Sequence, residues 1–321
     1  MATFTALSQD TARDLCRACD LGTIVRVIPI PEGSVNSNFR LEVSRDGEPR
    51  SYFVRIFEEQ GDEGAQYDRA LVSHLAGSGV PTPSPLVTSF RVGEKPVAVF
   101  PFVSGTPSCQ RAVDRARAEA LGFALAAVHR GGASFSLRRE GRFRIEDLHA
   151  RLPRIAAATD VELAAMAPVL GRELTRWTDA RVPGAPEGVI HGDLFRDNVL
   201  WQAAEGPGHD TIAALLDFES ASDGRLVYDL AVTVLAWSMG DEFDAGIARA
   251  TVDGYERGRP LTEVERRGFR AELAIAALRF TTTRITDYAM RTGGGARVIK
   301  DWRRFYRRFQ AVETVASFWD A

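Results

Sequence analysis

Two apolar runs in this chain each end in groups able to handle a phosphate and its counter-ion. The first, Val189-Ile190, leads into His191-Gly192-Asp193-Leu194-Phe195-Arg196-Asp197-Asn198 and then Val199-Leu200-Trp201. The second, Ala214-Leu215-Leu216, leads into Asp217-Phe218-Glu219. Moving a phosphoryl group between oxygens requires a carboxylate beside the attacking hydroxyl, hard oxygen ligands for a magnesium ion, and a scaffold that fixes both. Asp193 suits the first task. Asn198 and Asp217 suit the second, with phosphate oxygens and water completing the shell. His191 then fixes the loop and is not an acid. Asp and Asn also make turn hydrogen bonds, which accounts for each residue singly but not for the ordered set between two buried strands.

Together with Tyr228-Asp229-Leu230-Ala231, the motifs HGDLFRDNVLW and LLDFE resemble the aminoglycoside phosphotransferase and choline kinase superfamily, relatives of the protein kinases. Within it the chain is most similar to the kinase-like homoserine kinases of threonine biosynthesis. That likeness rests on EGSVNSNF from Glu32, on Tyr228-Asp229-Leu230-Ala231 leading into Leu235-Ala236-Trp237, and on Ala277-Leu278-Arg279-Phe280 continuing to Thr283-Arg284. The resemblance implies an α+β, two-lobed, protein-kinase-like fold. A small antiparallel-sheet lobe over residues 1–100 would bind the nucleotide, and a mostly helical lobe over 101–321 would carry catalysis and the acceptor, with a hinge at about 100–105. It also implies ATP and Mg²⁺ as cofactors, Asp193 as base, Asn198 and Asp217 as metal ligands, and Asp229 as a brace beneath the catalytic loop. The implied reaction is transfer of the γ-phosphoryl group to the hydroxyl of L-homoserine. Choline, ethanolamine, an aminoglycoside or a sugar-like metabolite are alternative acceptors, and a nucleotide-binding pseudokinase is the remaining alternative.

Composition is compatible with this. A chain of 321 residues with 45% hydrophobic content can bury a substantial core. A net charge of −3 gives no reason to expect a nucleic-acid partner. No apolar run approaches the roughly 20 residues of a membrane helix, and the opening MATFTALSQD lacks a basic segment followed by an apolar one. The expectation is a cytoplasmic protein with no membrane partner. Three cysteines are an odd number for a disulfide framework, and Cys16-x-x-Cys19 has no second pair to complete a zinc site.

The elements that must position these groups follow from local pattern. Ser8 is suited to cap a helix over Thr11 to Asp20, and Thr23 to Ile30 reads as a strand. Asn38 to Ser44 and Ser51 to Phe57 alternate around Arg45-Asp46-Gly47, which predicts a hairpin. The loop ahead of it contains Ser34, Asn36 and Ser37, able to donate hydrogen bonds, and its backbone amides could cradle ATP phosphates; taken alone it is a polar hairpin loop. Arg55 stands where the superfamily places a phosphate-binding Lys. Asp68, in a helix from about Ala65 to Ala76, is the candidate acidic partner, a solvated surface Asp being the alternative. Strands are expected over Leu86 to Arg91 and Pro96 to Phe100. The second runs into a segment resembling an adenine-binding hinge, with Phe100 and Phe102 offering backbone amide and carbonyl.

Beyond Pro101 the pattern is helical: Ala116 to Arg130, then two helices within Ile145 to Arg181. His74 and His129 fall on helical faces as packing or surface residues. An acceptor like homoserine needs a cation for its carboxylate and an anion for its ammonium. Arg279 and Arg284 are candidates for the first, and Glu219 and Asp223 for the second, with surface ion pairs an alternative for all four. The two arginines are five residues apart, so a regular helix does not place both on one face. Arg297 to Arg308 interleaves arginines with Trp302, Phe305 and Tyr306, a pattern expected of an amphipathic helix with aromatics packed and arginines solvated.

Overall fold

A computed structural model of the chain describes residues 5–31, 35–86, 89–203, 210–240, 242–290 and 300–316, with side chains to residue 312. Contacts divide the chain into two compact units, the first running to Ser104 and the second opening at Gly105.

The first unit is an antiparallel sheet with one helix packed on each face. Helix α1 (Gln9–Ala18) begins at Ser8, whose side chain accepts from the Thr11 amide. Strands β1 (Thr23–Ile30), β2 (Ser37–Arg45), β3 (Glu48–Ile56), β4 (Arg91–Val92) and β5 (Lys95–Pro101) assemble in the order β1-β2-β3-β5-β4. The β2–β3 turn has Asp46 at φ 55° and Gly47 at φ 83°. These are the left-handed values that a two-residue hairpin turn requires, and Gly adopts them at no steric cost. Alternation along the strands sends Leu41, Val43, Val54, Ile56, Val97 and Val99 to one face, where they pack on Leu15 and Cys16 of α1. Burial pushes the Cys16 thiol up to about 11, as suits a packing residue. Ala98 and Phe100 face the other way, toward Ala65 of α2 (Gly61–Gly77). Of the strand expected over Leu86 to Arg91, the described residues show a bridge between Leu86 and Val99 and the two residues of β4, while residues 87 and 88 lie outside the described set. Pro83 and Pro85 precede it and lack the amides a ladder needs.

The second unit is mostly helical: α3 (Arg115–Gly132), α4 (Ile145–Ala156), α5 (Val161–Asp179), α6 (Leu226–Trp237), α7 (Ala245–Gly258), α8 (Glu263–Arg284) and α9 (Arg303–Ala316). Short ribbons carry the functional loops. The strand β6 (Thr106–Pro107) pairs with β8 (Val199–Gln202), which pairs with β9 (Thr211–Leu215), while β7 (Glu187–Ile190) pairs with β10 (Ser222–Arg225). Helices α3 and α7 meet backbone to backbone. A Cβ on Gly122 would stand 1.9 Å from the Thr251 carbonyl oxygen, and one on Gly254 would stand 2.0 Å from that of Glu119. Gly122→Ala is therefore expected to force the helices apart at a cost of about 3 kcal/mol, read as a lower denaturant midpoint. An unchanged midpoint would show that the pair can separate freely.

The C-terminal helix differs in part from expectation. Residues 297–299 lie outside the described set. Trp302 and Phe305 are buried, but so is Arg308, which stacks 4.2 Å from the Phe305 ring centre and donates to the Met239 carbonyl. Burial and neighbouring arginines push its guanidinium down to about 9. It is a packed cation, not a solvated one. Among the described residues no helix is long and apolar enough to cross a membrane.

Candidate active site

Strand β7 delivers His191, Gly192 and Asp193 into a loop held from three sides. From below, the fully buried Asp229 of α6 accepts the His191 amide at Oδ2 (2.6 Å) and the Gly192 amide at Oδ1 (2.8 Å). From the side, His191 Nε2–H donates to the Leu216 carbonyl (2.9 Å), leaving Nδ1 to accept from the Asp193 amide (3.3 Å). Across the loop, Asn198 Nδ2 donates to the Asp193 carbonyl (2.8 Å), and Trp237 Nε1 donates to that of Leu194 (2.9 Å). Backbone amides bonded to a carboxylate are the stronger kind of hydrogen bond, and two from one group fix both position and orientation.

Asp229 is itself held by a chain that crosses three helices. Arg259 Nη1 donates to the Tyr255 hydroxyl (3.0 Å), which donates to His129 Nδ1 (2.7 Å), so that His129 Nε2–H is left to donate to Asp229 Oδ2 (3.0 Å). Burial opposes ionisation of Asp229. The His129 bond, the fields of the two neighbouring imidazoles and the His191 amide outweigh it and hold the carboxyl below the usual carboxylate range. His129 is thus a packing residue with a directed role. Its partner Tyr255 stands 126 positions away in sequence, and no local pattern signals the pairing.

Asp217 follows β9 in the left-handed conformation, φ 64° and ψ 63°, which a non-glycine residue adopts under strain. Its charge reaches Asp193. Burial raises the Asp193 carboxyl above the usual range; Arg279 and Lys300 oppose that shift, and Asp217 adds to it. Asn198 has committed its NH₂ group to the loop, which leaves its side-chain oxygen for a ligand. Among the described residues no group of three or more His, Cys, Asp and Glu side chains could hold a metal alone. The Asn198 amide oxygen and the Asp217 carboxylate would supply only part of a hard-oxygen shell for Mg²⁺, with phosphate oxygens supplying the rest.

Arg279 of α8 reaches this loop: its Nη1 lies 3.8 Å from Asp193 Oδ1. Arg284 turns instead toward α9, 4.4 Å from the Phe305 ring centre and donating to the Asp301 carbonyl (3.1 Å). Their five-residue spacing separates them as the helical period dictates. Asp223 is already engaged at both oxygens, by Arg138 (2.7 Å) and by the Arg139 amide (2.9 Å). Glu219 lies half-buried on a short turn, its carbonyl accepting from Arg139 (3.1 Å). The loop residue Phe195 packs on Phe280 of α8 and Phe305 of α9, with ring centres 5.0 and 5.8 Å away.

In the first unit, two sequence expectations need correction. Ser34 lies outside the described residues. Asn36 and Ser37, expected to turn toward phosphate, are buried at 1% and 0% exposure. Asn36 Oδ1 accepts the Glu58 amide (3.0 Å) and the Ser37 hydroxyl donates to Glu58 Oε1 (2.6 Å), so both side chains are spent on the segment that follows β3. The Phe102 amide bonds to the Ser51 carbonyl (3.1 Å) as the β3–β5 ladder continues past Pro101, a bond that does not involve the Phe102 carbonyl, the group expected to meet adenine. Phe100 is half-buried within β5, and Arg55 lies on β3 beside Asn38 (3.4 Å). Asp68 is 6% exposed on α2, which rules out the solvated-surface alternative.

An antiparallel sheet unit, a helical unit, and an Asp–Asn–Asp set on paired loops together define a kinase-like phosphotransferase. Comparison with known proteins agrees: the chain matches the phosphotransferase enzyme family over residues 26–263, and it belongs to that family. The homoserine kinase of Rhodopseudomonas palustris (strain BisA53) is 31% identical over 330 residues, covering 100% of this chain and 97% of that one. The homoserine kinase of Methylobacillus glycogenes is 33% identical over 338 residues, covering 99% of each. Among solved structures, choline kinase from Cryptosporidium parvum Iowa II shares the fold with a TM-score of 0.70 at 14% identity, over 96% of this chain and 95% of that one. The protein is an ATP-dependent phosphotransferase of small molecules.

Proposed function

We propose that the protein transfers the γ-phosphoryl group of ATP to the side-chain hydroxyl of L-homoserine, as a step of threonine biosynthesis in the cytoplasm. The observation that carries this reading is the end-to-end likeness, at about 30% identity, to relatives that bear the name homoserine kinase. A shared domain alone would support only the broader class.

In this reading Asp193 accepts a hydrogen bond from the acceptor hydroxyl, orients it, and takes its proton late in the transfer. The loop bonds to Asp229, His191 and Asn198 keep that carboxylate in place. Asn198 Oδ1 and Asp217 hold Mg²⁺, which neutralises charge on the phosphoryl oxygens when bound. Arg55, with Asp68 on the neighbouring helix, is the cation offered to the nucleotide phosphates. Backbone groups, not the side chains of Asn36 and Ser37, serve in the preceding loop.

The reading is tested by ADP release from the purified protein with Mg-ATP and a panel of L-homoserine, choline, ethanolamine, kanamycin, L-serine and L-threonine. Turnover with L-homoserine at least about tenfold above the others is expected, since loss of a single polar contact is worth about 1.5 kcal/mol or more. Preference for another acceptor would retain the class and overturn the substrate.

A further inference from the structure

Burying a guanidinium without hydrogen bonds is costly, and native structures rarely do it without a use. The Arg279 side chain is only 6% exposed, and its Nε has no hydrogen-bond partner. Its contact with Asp193, at 3.8 Å, is too long for a hydrogen bond. The rings of Phe143 and Phe280 pack against it, with centres 4.1 and 3.7 Å from Cζ. Cation–π contact of this kind offsets part of the desolvation while leaving the in-plane donors unspent.

Those donors border a cavity of about 270 Å³ within the second unit, lined by Phe143, Ile145, Gly192, Tyr228, Ile275 and Arg279 among others. Two further cavity arginines, Arg181 and Arg225, are already neutralised by the buried Glu272, at 2.7 and 3.1 Å. Arg279 differs from them. It faces the cavity, keeps its donors, and lies beside the carboxylate that would receive the acceptor hydroxyl. The planar edge of a guanidinium matches a carboxylate with two parallel hydrogen bonds.

We propose that Arg279, held between Phe143 and Phe280, is the seat of a carboxylate on the acceptor, so that the enzyme selects hydroxy acids over the corresponding alcohols. The inference rests on the phosphotransferase reading of Asp193 and gives it a substrate class: the hydroxyl sits at Asp193, the carboxylate at Arg279, and a short carbon chain joins them. An alcohol without the acid group leaves the guanidinium's donors buried without a hydrogen bond, a penalty in addition to the lost contact.

The test compares kcat/KM for matched pairs, L-homoserine against 3-amino-1-propanol and L-serine against ethanolamine, in the wild type, Arg279→Gln, Arg279→Lys and Phe143→Leu, with melting temperatures recorded for each. The wild type should favour the acid of at least one pair by about 100-fold, the worth of charge-assisted hydrogen bonds. Arg279→Gln should reduce that ratio to within a few-fold, mainly through KM. Arg279→Lys should restore part of it, and Phe143→Leu, which keeps the cation, should lower it less. A wild-type ratio near one in every pair, or a ratio unchanged in a folded Arg279→Gln, overturns the proposal. Inactivity on L-homoserine combined with an Arg279-dependent preference for L-serine would overturn the homoserine reading alone. Phosphorylation of the alcohols only, or of no pair, overturns the carboxylate seat.

Discussion

Asp193→Asn is expected to lower kcat by roughly 10²- to 10⁴-fold, the contribution of a positioned general base, while ATP affinity stays within a few-fold of the wild type. The loop geometry makes this substitution informative. Asp193 is tied into the structure by its backbone, through the carbonyl that accepts from Asn198 and the amide that donates to His191. Its side chain is free of those bonds, so an isosteric amide leaves the loop intact while it removes the acceptor of the proton and the charge that faces Arg279 at 3.8 Å. Steady-state rates of ADP release together with nucleotide titration separate the two effects. Turnover equal to that of the wild type would exclude Asp193 as the base.

Asp217→Ala is expected to abolish Mg²⁺-dependent nucleotide binding, with a fall in affinity of about 100-fold or more, since the carboxylate is one of only two protein ligands proposed for the ion. The left-handed backbone at Asp217 adds a second effect that a paired variant resolves. Asn tolerates that conformation far better than Ala does, so Asp217→Asn should keep the stability of the wild type while losing most of the metal-dependent affinity. Calorimetric titration of ATP with and without Mg²⁺, alongside thermal denaturation, reads both quantities. Normal Mg-ATP affinity in Asp217→Asn would contradict the assignment.

The sequence carries the proposed catalytic set more legibly than it carries the rest of the site. Asp193, Asn198 and Asp217 sit at fixed offsets from short apolar strands, and such strands are what hold loops rigid. The Asp46-Gly47 hairpin and the Ser8 cap are legible for the same reason, because their physics is local. Asn36 and Ser37 are not, because their shared partner Glu58 stands 22 and 21 positions away and no local pattern signals the pairing. Phe143 gave no signal at all: it is a loop residue whose importance comes from lying 4.1 Å from Arg279, 136 positions away.

The packing of Phe195 on Phe280 and Phe305 sets an order of events for the newborn chain. The ribosome finishes the catalytic loop long before it reaches the residues against which that loop rests, and the aromatic support is complete only once Phe305 has emerged. Until then the nascent enzyme holds its chemical groups without their backing, and a chain broken off ahead of that point would retain the whole motif and lack the surface that steadies it.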